Sequence, residues 1–454
     1  RQRQMCIRDR PALPDPDDVC SAMDDLNFMA YCYENFDVNK DGKVSVTEAN
    51  AAKEIYTTSS KWVSVKGIER FPNIEILSLN GSSITELDLR YNLKLKSISG
   101  YSSLLTTVLL PNTLTSIEKS AFKECASLIE IHFPASLTSI GVNAFYGCSS
   151  LTEINFPASL TSIGGSAFRG CSSLVEIHLS DNLTSIGEYA FSGCSSLTEI
   201  NFPASLTLIG GSAFRGCSSL VEIHLSDNLT SIGEYAFSGC SSLTEINFPA
   251  SLTSIRGFAF SGCSSLVEIH LPDNLTSIGE RAFWSCSSLT EIHLPASLTW
   301  IGGSAFSGCS NLTKINLPDN LTSIGKTAFS GCSSLTEIHL PASLASIGGS
   351  AFSGCSSLTE INFPASLTSI GESAFSFCSN LTEIHLPASL TSIGEGTFWS
   401  CSSLTEVICY ALVPPKLNGF SNSTIENLYV PAESIQAYKD SSWAIYFKNI
   451  LPIE

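Results

Sequence analysis

Residues 321–343 read LTSIGKTAFSGCSSLTEIHLPAS, and this phrase, with small variations, recurs from Thr113 to Cys401. Its cysteine falls at Cys125, Cys148, Cys171, Cys194, Cys217, Cys240, Cys263, Cys286, Cys309, Cys332, Cys355, Cys378 and Cys401, a step of 23 residues every time. A fixed period of this size marks a solenoid, in which each unit is one coil and buries its apolar side only against its neighbours. Residues 155–200 and 201–246 are identical except for Ser162 against Leu208, a duplication of two whole coils. Coils can therefore be added without harm, as in a spacer or a modular binding surface.

Within the phrase, SLTEIHLPASLTSI fits the leucine-rich form L-x-x-L-x-L-x-x-N-x-L. One coil fills it with Leu151, Ile154, Phe156, Ser159, Leu160 and Ile163. Side chains alternate along a strand, so in TEIHL the Ile and the final Leu or Phe point inward and the Glu and His point outward. The expected fold is of the α/β class. It is a right-handed leucine-rich-repeat solenoid of 23-residue coils, each a short concave strand, a second extended segment and a tight helical turn. Regular helix should be scarce outside the termini. The cysteine column is expected to be a ladder of small buried thiols, because Cys is among the most buried residue types and zinc would need ligands clustered within a few residues. Ser136, Ser159, Asn182, Ser205, Asn228 and Ser251 should satisfy backbone groups of the turn. Asn182-Leu183-Thr184 reads as a glycosylation sequon, with its Asn expected to be inaccessible in that ladder. Gly141 and Gly164 are expected at positive φ, and Arg256, which stands in their column, should be locally strained.

Stacking turns the outward positions into columns. The first runs Glu130, Glu153, Glu176, Glu199, Glu222, Glu245, Glu268, Glu291, Lys314, Glu337, Glu360, Glu383, Glu406. The second runs His132, Asn155, His178, Asn201, His224, Asn247, His270, His293, Asn316, His339, Asn362, His385, and holds all seven histidines. Carboxylates one strand spacing apart, about 4.8 Å, repel by about 0.9 kcal/mol in water. That cost fits either a hydrated face that keeps the sheet soluble or a docking face for a basic or hydrogen-bonding partner. The candidate ligand-binding residues are Glu176, His178, Glu222, His224, Glu268, His270, Glu291, His293, Glu337, His339, Glu383 and His385. Tyr146, Trp284 and Trp399 are further candidate contacts.

Ahead of the array, residues 37–48 read DVNKDGKVSVTE, which matches the EF-hand calcium loop position by position. Asp37, Asn39 and Asp41 stand at loop positions 1, 3 and 5 and Gly42 at the turn. The Lys43 carbonyl, Ser45 and Glu48 complete an all-oxygen set suited to one Ca²⁺. No second such loop is present to pair with it. The chain is expected to divide into 1–17, an artefact and linker; 18–60, an EF-hand-like helical segment; 61–110, irregular leading leucine-rich repeats; 111–408, the regular array; and 409–454, a C-terminal cap. In that cap a last strand ends at NLYVP, and Ala432 to Phe447 reads as helix. Residues 1–10 resemble translated sequencing-adapter read-through and are set aside, so the true N-terminus, with any export signal, is expected to be missing.

The net charge of −18 argues against nucleic acid as a partner, which needs Lys/Arg patches. No apolar run reaches transmembrane length. No G-x-S-x-G, P-loop or H-E-x-x-H appears, so catalysis is not expected. Cys20, Cys32 and Cys409 show no readable pairing.

The AF-x-G-C core, the lead-in GIERFPNIEIL and the ending VPPKL…LYVPAESIQAYK…W…ILPIE resemble the BspA-like leucine-rich repeat family over about residues 61–454. An acidic calcium-type loop ahead of the repeats also resembles that family. The resemblance implies a secreted or cell-surface adhesin, reported to bind host matrix proteins and other bacteria. The chain is accordingly expected to be extracellular and monomeric, and to recognise a protein or glycan on host or neighbouring cells. A structural spacer on the cell surface is the alternative.

Overall fold

The 23-residue period appears strand by strand in a computed structural model, which describes residues 15–57, 61–100, 102–420 and 424–453. The chain forms two units, Arg1–Leu206 and Thr207–Glu454, and each is a stack of coils. Unit 1 opens with helix α1, Leu26–Phe36, started by Asp25, whose carboxylate accepts from the N–H groups of Asn27 and Phe28. The other Asp25 oxygen accepts from Val63 N at 2.6 Å and Ser64 N at 3.1 Å, tying the helix start to the first coil. Burial pushes this carboxyl up, but its backbone donors more than offset burial and hold it below the usual carboxylate value. Phe28 and Tyr31 pack on Trp62 at 4.9 and 5.1 Å, and Phe36 packs on Phe71 at 5.2 Å. A short helix α2, Val46–Ala51, leads into the strand Glu54–Tyr56, which pairs in parallel with Ile76–Ser78, and that strand with Ser97–Ser99.

The regular coils then carry two strands each, save the one at Glu360, which forms only the second. The first is three residues long, such as Glu153–Asn155 and Glu176–His178, paired in parallel with Glu153 against Glu176. The second is two residues long, such as Ser162–Ile163 and Ser185–Ile186. The Ala-Phe-x-Gly-Cys segment is a run of turns and not an α-helix. Its Phe rings stack from coil to coil, at 5.1 Å for Phe145 on Phe168 in unit 1 and 5.5 Å for Phe260 on Phe283 in unit 2. Phe156, expected to point inward, is half-buried and stands edge-on to Phe168 at 5.6 Å.

The cysteine column is buried, as expected. Apart from Cys125, whose Sγ donates to Gly100 O at 2.9 Å, the array thiols donate to the carbonyl of a Phe in the coil before, 3.2 Å from Cys148 Sγ to Phe122 O and 3.4 Å from Cys263 Sγ to Phe237 O. Burial pushes the Cys171, Cys263 and Cys332 thiols up to about 12, so the reactive thiolate is scarce at neutral pH. The folded protein should therefore leave the array cysteines unlabelled by a maleimide over hours, and label them all within minutes of denaturation. Rapid native labelling would contradict this packing.

Two expectations about the turns are corrected. Gly141 and Gly164 do not lie at positive φ. That conformation falls on Gly147 and Gly170, at 75° and 76°, and on Asn143 and Ser166, at 56° and 53°. Gly141 and Gly164 are fixed by close approach instead, since an added Cβ would lie 2.8 Å from Lys119 N or 2.7 Å from Gly141 C. Arg256 carries a Cβ in this column, and its N–H reaches Ile232 O at 3.3 Å, where Gly279 reaches Ile255 O at 2.8 Å. The strain expected there is a stretched inter-coil hydrogen bond. Asn182 is exposed and not inaccessible, because its ladder runs along the surface. The ladder does serve turn carbonyls: Asn182 Nδ2 donates to Ala158 O at 2.9 Å and Ser251 Oγ to Leu229 O at 2.7 Å.

At the C-terminus the strand Ile425–Val430 is not the last. Only Ile435–Lys439 of the expected helix is α-helical, and Phe447–Pro452 returns as a parallel strand beside Ile425–Val430. Lys448, Asn449 and Pro452 obscure its alternation, as they do on edge strands. Trp443 closes the core there, its Nε1 donating to Pro415 O at 3.0 Å.

Candidate ligand-binding face and calcium loop

The strand register places the candidate residues side by side within each unit. In unit 1 Glu153 lies beside Glu176 and Asn155 beside His178. In unit 2 Glu245, Glu268 and Glu291 follow one another in register, with Asn247, His270 and His293 beside them. Lys314 then stands between Glu291 and Glu337, and Glu383 lies beside Glu406. The buried Ile between each Glu and His fixes which way the pair points.

A second pairing runs within each strand. His Nε2 lies against Oε1 of the Glu two residues earlier: 2.8 Å at His132–Glu130, 3.0 Å at His178–Glu176, 3.1 Å at His224–Glu222 and His270–Glu268, 3.4 Å at His293–Glu291, 3.2 Å at His339–Glu337 and 2.6 Å at His385–Glu383. In the coils that carry Asn after Glu, an amide takes the same place, with Asn155 Nδ2 at 2.7 Å from Glu153 Oε1 and Asn362 Nδ2 at 2.8 Å from Glu360 Oε1. These side chains stay largely in solvent, 64% exposed at His270 and 57% at Glu268. Exposed pairs of this kind contribute about 0–1 kcal/mol, so they orient carboxylates more than they stabilise the fold. That Glu and His neighbour each other was legible in the sequence, since residues two apart on a strand share a face; their direct contact is set by the side-chain rotamers.

Near Glu360 the face is irregular. No strand forms there, and Asn362 makes only isolated bridges to His339 and His385. A depression of about 430 Å³ opens on Glu337, His339, Glu360 and Asn362. One of about 280 Å³ lies on the matching Glu130, His132, Glu153 and Asn155 of unit 1. At His385 the face is bounded by Tyr410, whose Oη lies 3.3 Å from His385 Nδ1. Trp284 and Trp399 are 44% and 48% exposed, and Tyr146 is half-buried between Lys123 and Arg169, 5.5 and 5.9 Å from its ring.

The loop between α1 and α2 gathers the expected calcium ligands, but its oxygens are turned to its own backbone. Asp37 accepts from Asp41 N at 3.1 Å and Gly42 N at 3.0 Å, and Asp41 accepts from Lys43 N at 2.9 Å. Glu48 accepts from Val38 N and Ser45 N, both at 2.9 Å, and forms a capping box with Ser45. The N–H donors, Ser45 first, hold its carboxyl below the usual value. Among the described residues no group of three or more His, Cys, Asp and Glu is placed to hold a metal ion. No helix among them is long and apolar enough to cross a membrane.

Stacked parallel coils with an inward Leu/Ile/Phe/Cys core and an outward polar ladder define a leucine-rich-repeat solenoid. The chain belongs to the family described as BspA type Leucine rich repeat region (6 copies), which it matches over residues 94–221, 209–336 and 322–444. Among solved structures, a leucine-rich repeat protein from Bacteroides ovatus ATCC 8483 is 33% identical with a TM-score of 0.66, over 75% of this chain and 88% of that one. A leucine rich cell surface protein from Faecalibacterium prausnitzii A2-165 is 26% identical with a TM-score of 0.45, over 75% of this chain and 83% of that one. The pneumococcal vaccine antigen PcpA is 23% identical with a TM-score of 0.44, over 89% of each chain. No curated protein matches the chain.

Proposed function

We propose that the protein is a non-catalytic, secreted or cell-surface binding scaffold that recognises a protein or glycan on host or neighbouring cells through its Glu/His/Asn face. The observation that carries this reading is the register of that face: carboxylates stand beside carboxylates, each with one oxygen held by its own His or Asn. Such a face has a standing repulsion of about 0.9 kcal/mol per neighbouring pair, which a basic or hydrogen-bonding partner relieves. Membership of the BspA-type family supports the surface location. The test is a binding screen of the full chain against host matrix proteins and glycans, followed by Glu222, Glu245, Glu268 and Glu291→Gln together. Binding should fall by about tenfold or more, as loss of a few complementary charges predicts, with no fall in melting temperature. Undiminished binding would move the site elsewhere, and no binder in the screen would favour the spacer.

The N-terminal loop has an oxygen-only donor set, and we propose that Asp37, Asn39, Asp41, the Lys43 carbonyl, Ser45 and Glu48 hold one Ca²⁺ there. Ca²⁺ suits six to eight such donors, with Glu48 giving two oxygens. Millimolar Ca²⁺ should raise the melting temperature of the N-terminal segment by linkage, and Glu48→Gln should abolish the rise. Equal melting with Ca²⁺ and with chelator in the wild type would leave the loop as a helical cap.

A further inference from the structure

Three cysteines lie outside the array among the described residues, and two of them meet. Cys20 sits on the turn before α1 and Cys32 within α1; both are fully buried and both are free thiols here. Burial, and next to it the neighbouring Cys20 side chain, push the Cys32 thiol well up. Neighbouring contacts fix the same two elements together. Tyr33 Oη donates to Asp18 Oδ2 at 2.5 Å, and Asp18 Oδ1 accepts from Cys20 N at 3.1 Å and Val44 N at 3.2 Å. Thiols elsewhere are placed differently. Cys125 Sγ donates to Gly100 O at 2.9 Å and Cys286 Sγ to Phe260 O at 3.3 Å, and Cys409 Sγ lies 3.1 Å from Tyr438 Oη.

We propose that Cys20 and Cys32 close a disulfide when the protein folds in an oxidising medium, stapling the N-terminal turn to α1, while the array thiols stay reduced. The chemistry needs an oxidant, and a small-molecule disulfide such as oxidised glutathione supplies it. One protein thiolate attacks that disulfide and expels a glutathione thiolate; the second protein thiolate then attacks the mixed disulfide and expels the other. Two protein thiols become one disulfide, and their two hydrogens end on two molecules of reduced glutathione. Burial disfavours the thiolate in the folded pair, so the bridge forms during folding or when this end of the chain opens locally. The bridge joins positions 12 apart in sequence, and its effect is to restrict the unfolded N-terminal segment that also carries the calcium loop. It is independent of what the strand face binds.

The tryptic peptide Asp9–Lys40 contains Cys20 and Cys32 and no other cysteine, since Arg10 precedes Pro11 and no Lys or Arg follows until Lys40. The full chain is held in a glutathione redox buffer, and in parallel refolded through denaturant in it. Free thiols are then alkylated in denaturant, and the digest is weighed. In the refolded arm this peptide should carry no alkyl group and be two hydrogens lighter, with the array peptides fully alkylated. Dithiothreitol before alkylation should restore two labels, and Cys32→Ser should leave Cys20 labelled. Two alkyl groups on this peptide in both arms, or array cysteines bridged to the same extent, would overturn the proposal.

Discussion

Phe260→Ala should destabilise unit 2 by about 3–5 kcal/mol, the range for removing a fully buried Phe. The ring is 0% exposed and stacks on Phe237 and Phe283, each at 5.5 Å, and Phe248 meets it edge-on at 5.5 Å. Its loss leaves a cavity that the neighbours cannot fill, because each is held by the next ring in the same ladder. A coil contacts only its neighbours, so the damage should be local before it is global. Hydrogen exchange should quicken first in the coils around Phe260, while Phe145 and Phe168 in unit 1 stay protected. Urea titration measures the loss; a change below about 1 kcal/mol, the usual effect of an ordinary substitution, would mean that the stacked rings are not the core.

Gly394→Ala should cost about 1–3 kcal/mol as overpacking, although Ala is the smallest possible addition. The new Cβ would lie 2.2 Å from Glu372 N and 2.5 Å from Gly371 C, and both are backbone atoms that cannot turn aside. Gly354→Ala should cost about 1–2 kcal/mol for a different reason, its left-handed φ of 76°, since nothing lies closer than 3.7 Å to its added Cβ. Asn at Gly354 should recover part of that loss; Asn at Gly394 should recover none. Arg256→Gly is the reverse test: it should tighten the 3.3 Å bond to Ile232 O and raise the melting temperature of unit 2. Equal penalties for Asn at both glycines would show that one mechanism governs both columns.

The surface chemistry was only partly legible. Which residues stand in the Glu and His columns followed from period 23 and strand alternation alone. That each Glu is held by the His or Asn of its own strand, as Glu176 is by His178 at 3.0 Å, depends on side-chain rotamers that a pattern does not carry. The missing strand at Glu360 was hidden as well: the phrase there, TEINF, is the one written at Glu153, where a strand does form.

By itself, the sequence determined the fold. A strict period with inward Leu, Ile, Phe and Cys admits one economical arrangement, because each coil can bury its apolar side only on its copies. The acidic loop with Gly42 at its turn was legible too, whereas Asp25 as the start of the helix and the Ser45–Glu48 capping box emerged only from the structure. The tertiary structure alone decided what each glycine is for. Gly141 and Gly147 look alike in sequence, yet one is excluded from bearing a Cβ by the coil before it and the other is required at positive φ. It alone also decided that Phe447–Pro452 is a strand, since its pairing with Ile425–Val430 outweighs a weak local pattern, and that Cys20 meets Cys32. These are contacts between segments, set by how closely backbones approach, and one-dimensional periodicity holds no measure of that distance.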